Sequence, residues 1–413
     1  MKKSIFSWMF LAAFMAFSCS SGNGVTAVLW TDKSEFAFYS RYFNKMQDQY
    51  KIEIQFYDSP AQKLKESDAH PDIVAGSWLK NASTRNFIKP LDSFFQDDTL
   101  SKDDFYDKLL SMGNFDEKQY LLPVSFNAPV VIFSRSNADL LSNPFTIGFE
   151  EMKELGISYN DSARGVFTKM GFSPLWDDNF IFLTAELTNV SFRENEPLDW
   201  NNELLEKAMN FVYDWTIEAN GSIQAVEDFT FKYFYSPPAK LVLDERILFT
   251  STGSDSYFTL EEDQRNKIDF RWLSEGDNIP LDERSIYLGL TKKGRAVNAA
   301  NAFIKWFFND DTQRFLLEES RKYRIMDTSF GICGGFSALR PVTEKVFPQF
   351  YPNLLGHMPP EDFLSPSDIL PEDWPVLKER VILPYLRERS RKPNDDGVYP
   401  LENRILDWIR VNR

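Results

Sequence analysis

The chain has 413 residues, 43% of them hydrophobic, with 61 acidic against 46 basic side chains and a formal charge of −15. That apolar content excludes a disordered chain, and so acidic a field disfavours nucleic acid and anionic membrane surfaces as partners. Two cysteines exclude a disulfide framework and two histidines a histidine-rich metal site, so no cofactor or metal is expected.

At the amino end, Lys2 and Lys3 precede an apolar run from Ile5 to Phe17. Roughly 13 apolar residues behind positive charge fit a secretory signal peptide, whereas a membrane span needs about 20. The run closes on Ala16-Phe17-Ser18-Cys19, which resembles a bacterial lipobox. That resemblance implies loss of residues 1–18, a lipid on Cys19, and a short flexible tether over 19–24. The mature chain would then be exported and anchored to a bacterial membrane, on its periplasmic side or at the cell surface. Cys333 would be left without a partner.

The roughly 395 residues beyond Cys19 exceed what one core holds, so two domains are expected. Val25–Trp30 reads as a buried strand, and Thr31-Asp32-Lys33-Ser34 as a turn that caps a helix. Phe36, Tyr39, Phe43, Met46 and Tyr50 recur at helical spacing on one face. Ile52, Ile54 and Phe56 alternate with polar residues as a second strand, and Pro71–Ala75 forms a third, ending at Gly76-Ser77-Trp78. Strand, helix, strand in repetition predicts a parallel α/β sheet with its ligand at the carboxyl ends of the strands. Those ends carry Trp30-Thr31-Asp32, Tyr57-Asp58-Ser59 and Ser77-Trp78.

Farther along, Leu204, Ala208, Phe211, Val212 and Trp215 share a helical face, as do Ala296, Ala299, Ala300, Phe303 and Phe307. Gly331-Ile332-Cys333-Gly334-Gly335 lacks phosphate-loop spacing and reads as a flexible connection. The prolines between residues 341 and 375 exclude a single helix or a central strand there. That stretch is expected to wander over the surface, or alternatively to cap a cleft or dock a partner. A last helix sets Leu401, Ile405, Trp408 and Ile409 on one face.

Three passages carry a family resemblance. They are Pro71-Asp72-Ile73-Val74 with Asn86–Phe94, Lys118–Asn127 with Val130–Arg135, and Ile286–Leu290 followed by Ala299–Trp306. In that order they resemble passages of the family 1 extracellular solute-binding proteins. Between Phe231 and Ser254 a glycine common in the family is missing and Ser236-Pro237-Pro238 stands nearby.

The resemblance implies a two-lobed α/β periplasmic binding protein fold (type II), each lobe a mostly parallel sheet flanked by helices, with a proline-rich C-terminal extension. Lobe one would be 25–127 and 286–326, and lobe two 128–285 and 327–413. It implies a monomeric, non-enzymatic substrate-binding lipoprotein of an ABC importer. Such a protein closes on a small solute, a sugar or oligosaccharide, and delivers it to permease transmembrane subunits. The lost glycine and the prolines motivate an alternative, a sensor or interaction module on the same fold. A glycoside-acting enzyme is more distant, because the adjacent Asp177 and Asp178 are not spaced for it by sequence.

Candidate ligand contacts follow from strand ends, aromatic faces and placed polar groups. Lobe one offers Trp30, Asp32, Ser59, Ser77 and Trp78. The first crossing offers Ser125 and Asn127. Lobe two offers Trp176, Asp177 and Asp178, with Ser254 and Tyr257 after a later strand.

Overall fold

A computed structural model describes residues 24–97 and 99–412. The expected signal peptide, Cys19 and all of the tether but Gly24 lie outside the described residues. The first sheet runs in the order Phe336–Ser337, Leu122–Phe126, Ile286–Thr291, Ile73–Gly76, Val25–Thr31, Tyr50–Phe56. Ile88–Lys89 pairs with the far end of Ile286–Thr291. The second sheet runs Phe249–Gly253, Pro129–Ser134, Ile268–Leu273, Thr146–Ile147.

The expected parallel strands are present: Val25–Thr31 pairs in parallel with both Tyr50–Phe56 and Ile73–Gly76. The sheets as wholes are mixed, which corrects the expectation of mostly parallel lobes. Ile286–Thr291 is antiparallel to both of its long neighbours, and Pro129–Ser134 is antiparallel to both of its own. These strands leave or enter a crossing between lobes, so they run from the opposite end of the sheet and need no helical return.

Helical spacing located the first core. On the helix Glu35–Met46, Phe36, Tyr39 and Phe43 are buried, and they meet Phe303 and Phe307 of the helix Val297–Phe307 at centroid distances of 5.4–6.5 Å. Each such ring removed from water contributes roughly 1.5–3 kcal/mol. Met46 ends that helix and is exposed, and Tyr50 opens the next strand, so the buried face stops at Phe43, about two turns short of what the spacing suggested. In lobe two, the helix Asn202–Asn220 buries Ala208, Val212 and Trp215 as its period required.

The chain passes between the lobes at Asn127–Ala128, again at Asp282–Ser285, and a third time before Leu364–Ser365, which pairs with Ile279–Pro280. Residues 341–375 therefore do not wander over a surface. Val342, Phe347 and Leu354 are completely buried, and Phe330, Phe347 and Tyr351 pack together beneath Phe258 of lobe two. The division expected at residue 326 shifts accordingly. Phe336–Ser337 is the edge strand of the first sheet, and the second lobe's core takes the chain back from Leu370 to Ile405. The glycine-rich passage is also tied down. Gly331, Cys333 and Gly334 have φ of 57°, 49° and 76°, and a Cβ on Gly335 would stand 2.6 Å from the Phe126 carbonyl oxygen.

Candidate functional site

A cavity of about 660 Å³ opens between the lobes. Lobe one contributes Trp78. The crossings contribute Asn127 and Leu281–Arg284. Lobe two contributes Asp177, Phe182, Glu186 and Ser251–Gly253, and the returning helix, one helical run over 374–389, adds Pro375, Lys378 and Leu383.

The crossings are braced where they meet. Asn127 donates from Nδ2 to the Gly334 carbonyl at 2.8 Å and accepts at Oδ1 from the Ser254 hydroxyl at 2.7 Å. The same hydroxyl accepts from the Ala128 N–H at 3.2 Å, while the Asp282 N–H donates to the Asn127 carbonyl at 2.8 Å. Two crossings and one turn of lobe one are thus fastened through a single asparagine.

Charge is concentrated on one wall. Arg284 Nε lies 2.9 Å from Asp282 Oδ1. Lys378 Nζ lies 2.8 Å from Glu283 Oε1 and 3.7 Å from the centre of the Phe182 ring. The other oxygen of Glu283, Oε2, is buried and finds no donor among the described residues. The half-buried Glu186 carboxyl has its pKa pushed up to about 8, mostly by burial, then by the neighbouring Glu283 charge. Behind this wall Lys80 is buried, 5.3 Å from the Tyr287 ring centre. Desolvation pushes its pKa down to about 8, against the pull of Asp368 and Glu283.

Of the residues singled out by sequence, the cavity brings together Trp78, Asn127 and Asp177. Trp78 has a φ of 63°, a left-handed conformation held by Asn81 Nδ2 donating to its carbonyl at 2.6 Å. Asp177 caps the helix Asp178–Leu187, accepting from the Asn179 N–H at 2.9 Å.

The others lie outside the cavity wall. Trp30 is buried beside Tyr57 and donates to Gln55 at 2.9 Å. Asp32 is tucked under Gly76, its pKa raised by burial. Ser59 caps the helix Pro60–Glu66. Ser77 donates to the Arg284 carbonyl at 3.4 Å, and Ser125 to the Cys333 carbonyl at 3.5 Å. Trp176 packs on Phe234 and Phe229, at 4.9 and 5.9 Å. Asp178 holds the Arg387 guanidinium. Ser254 serves the crossing, and Tyr257 is buried with its hydroxyl accepting from Asn353. Glu186, Glu283 and Lys378 were missed. Glu186 had a readable signal, the one carboxyl beyond the first turn of its helix, set among Phe182, Leu183, Ala185 and Leu187.

Beside the cavity a second set of contacts joins the lobes. The Ala82 N–H donates to both oxygens of Glu194, at 2.9 and 3.2 Å. Ser83 Oγ and Lys65 Nζ each lie 2.9 Å from Glu372 Oε2. Asn81 organises this loop by accepting from the Thr84 N–H at 2.9 Å.

Among the described residues no helix is long and apolar enough to cross a membrane, and no group of three or more His, Cys, Asp or Glu could hold a metal ion. Residues 39–330 match the family described as bacterial extracellular solute-binding protein. No curated protein matches the sequence. Solved structures share the fold at low identity. The sugar-binding protein MalE of Xanthomonas citri superposes with a TM-score of 0.62 at 12% identity, over 94% of this chain and 100% of that one. The cyclic alpha-maltosyl-1,6-maltose binding protein of Arthrobacter globiformis gives 0.62 at 17%, over 92% and 96%. An ABC substrate-binding protein of Listeria monocytogenes in complex with cycloalternan gives 0.60 at 13%, over 94% and 99%.

Proposed function

The chain belongs to the bacterial extracellular solute-binding proteins, and on that premise we propose that it is the receptor of an ABC importer for a sugar or oligosaccharide. The observation that carries this reading is the 660 Å³ cavity, walled by both lobes and floored by their crossings. A solute touching Trp78 on one lobe and Asp177 on the other gains both contacts only when the lobes are together, so its binding favours closure. The Trp78 ring offers a face to sugar C–H groups, and the carboxyls accept from hydroxyls. The solutes named for the structural neighbours support a saccharide.

In this reading Cys19 carries the lipid and residues 20–24 tether a monomeric receptor beside the permease. The family and the structural neighbours are binding proteins, and binding with release needs no catalytic group. The test is thermal unfolding of the purified protein against panels of saccharides, amino acids, peptides and polyamines. A saccharide should raise the midpoint, because a ligand of the native state stabilises it, and scattering should show a more compact molecule. A midpoint moved only by amino acids or peptides overturns the saccharide, and no movement with any panel overturns the receptor.

A further inference from the structure

We propose that the solute carries a primary ammonium group, an amino saccharide rather than a neutral or acidic one, and that Glu186 and Glu283 read it. This rests on the receptor reading above and narrows its ligand. Both basic side chains on the wall are already committed, Arg284 to Asp282 and Lys378 to Glu283. Neither is free to meet a ligand carboxylate or phosphate, and Asp177, Asp255 and Glu379 add negative charge to the same walls. A uronate or sugar phosphate would enter against that field.

Stacking surface is also short. The large aromatics on the wall are Trp78 and Phe182, and Lys378 covers a face of Phe182. What remains is acceptor capacity. Among the described residues, Glu283 Oε2 is buried without a donor and the Glu186 side chain makes no hydrogen bond. An ammonium presents three donors and no acceptor, so one group can satisfy both carboxyls. A metal ion is the other candidate for such acceptors, but no three ligating side chains converge among the described residues.

The groups that face Glu186 are Asp282 and Glu283 on the crossing, which repel its charge, and Lys378 on the returning helix, which favours it. An arriving ammonium restores ordinary carboxylate behaviour, so a proton leaves Glu186 when such a ligand binds near pH 7. A hydroxyl in its place releases none.

The experiment is isothermal titration of the purified protein at pH 7 in two buffers of different ionisation enthalpy. The probes are glucosamine oligosaccharides, their N-acetylated and neutral counterparts, a uronate disaccharide, and spermidine. Amino saccharides should bind at least about tenfold tighter than their acetylated partners and release protons. Glu186→Gln should erase the preference and the release while keeping its unliganded melting midpoint. Glu283→Gln gives the same reading should that first variant fail to fold. Equal or tighter binding of neutral or acetylated sugars overturns the ammonium while leaving the receptor in place, and uronate binding does so as well. Spermidine above every amino saccharide supports the ammonium and overturns the saccharide frame. Binding of no probe overturns both.

Discussion

Glu194 and Glu372 lie outside the cavity wall, yet their replacement should weaken ligand binding. Their partners are on the other lobe: Ala82 N–H and Arg85 for Glu194, Ser83 and Lys65 for Glu372. These contacts exist only while the lobes are together. Replacing a charged acceptor by an amide costs about 1 kcal/mol per hydrogen-bonded site. The two ion pairs are half exposed on the basic side, with Lys65 at 47% and Arg85 at 33%, so each adds at most about 0.5 kcal/mol after screening. Glu194→Gln with Glu372→Gln should therefore shift the open–closed balance by about 2 kcal/mol, roughly 30-fold in population. Apparent affinity falls by up to that factor, because only the closed fraction is competent. Small-angle scattering of the unliganded double variant should give a larger radius of gyration, and high salt should push the wild type the same way. Unchanged scattering and affinity in the double variant would refute the assignment of these carboxylates as a clasp.

Trp78→Ala should abolish the ligand-induced rise in melting midpoint, whereas Trp176→Ala, outside the cavity wall and half-buried against Phe229 and Phe234, should lower the unliganded midpoint and keep the ligand-induced rise; equal effects would refute the placement. Lys80 has a folded pKa near 8, below its ordinary value of 10.5, so its burial costs stability below pH 8 and the cost fades as pH rises toward 10.5. Lys80→Met should then stabilise by up to roughly 3 kcal/mol in denaturant titrations at pH 6, with a smaller gain at pH 9.5; a gain that grows with pH would refute it. Ser254→Ala strands Asn127 Oδ1 and the Ala128 N–H, and chemical unfolding should report a loss of about 1–3 kcal/mol.

Periodicity made most of the architecture legible. The buried faces of Glu35–Met46, Val297–Phe307 and Asn202–Asn220 follow from spacing alone, and so does the opening parallel ladder. The proline stretch misled because several of its prolines begin short helices. Pro352 and Pro375 each sit in a first turn, where a missing N–H costs nothing. The site was harder to read. Trp78 and Trp176 follow similar turn signals, but Phe229 and Phe234, distant in sequence, hold one of them away from the cavity. The Glu283–Lys378 pair joins residues far apart along the chain, and no local pattern announces such a meeting.

The place of Ile286–Thr291 in the first sheet has a consequence for biosynthesis. It lies between Ile73–Gly76 and Leu122–Phe126, yet the stretch of the second lobe from Pro129 to Leu273 is made before it. Until residue 291 emerges, the early half of the protein holds two strand groups with open edges and nothing to join them. Such edges invite pairing with other chains, and closing them demands contacts of long sequence separation, which form slowly. The amino-terminal half is thus the part that most needs a holding chaperone during export, and a truncation at residue 280 should aggregate rather than fold as a free lobe.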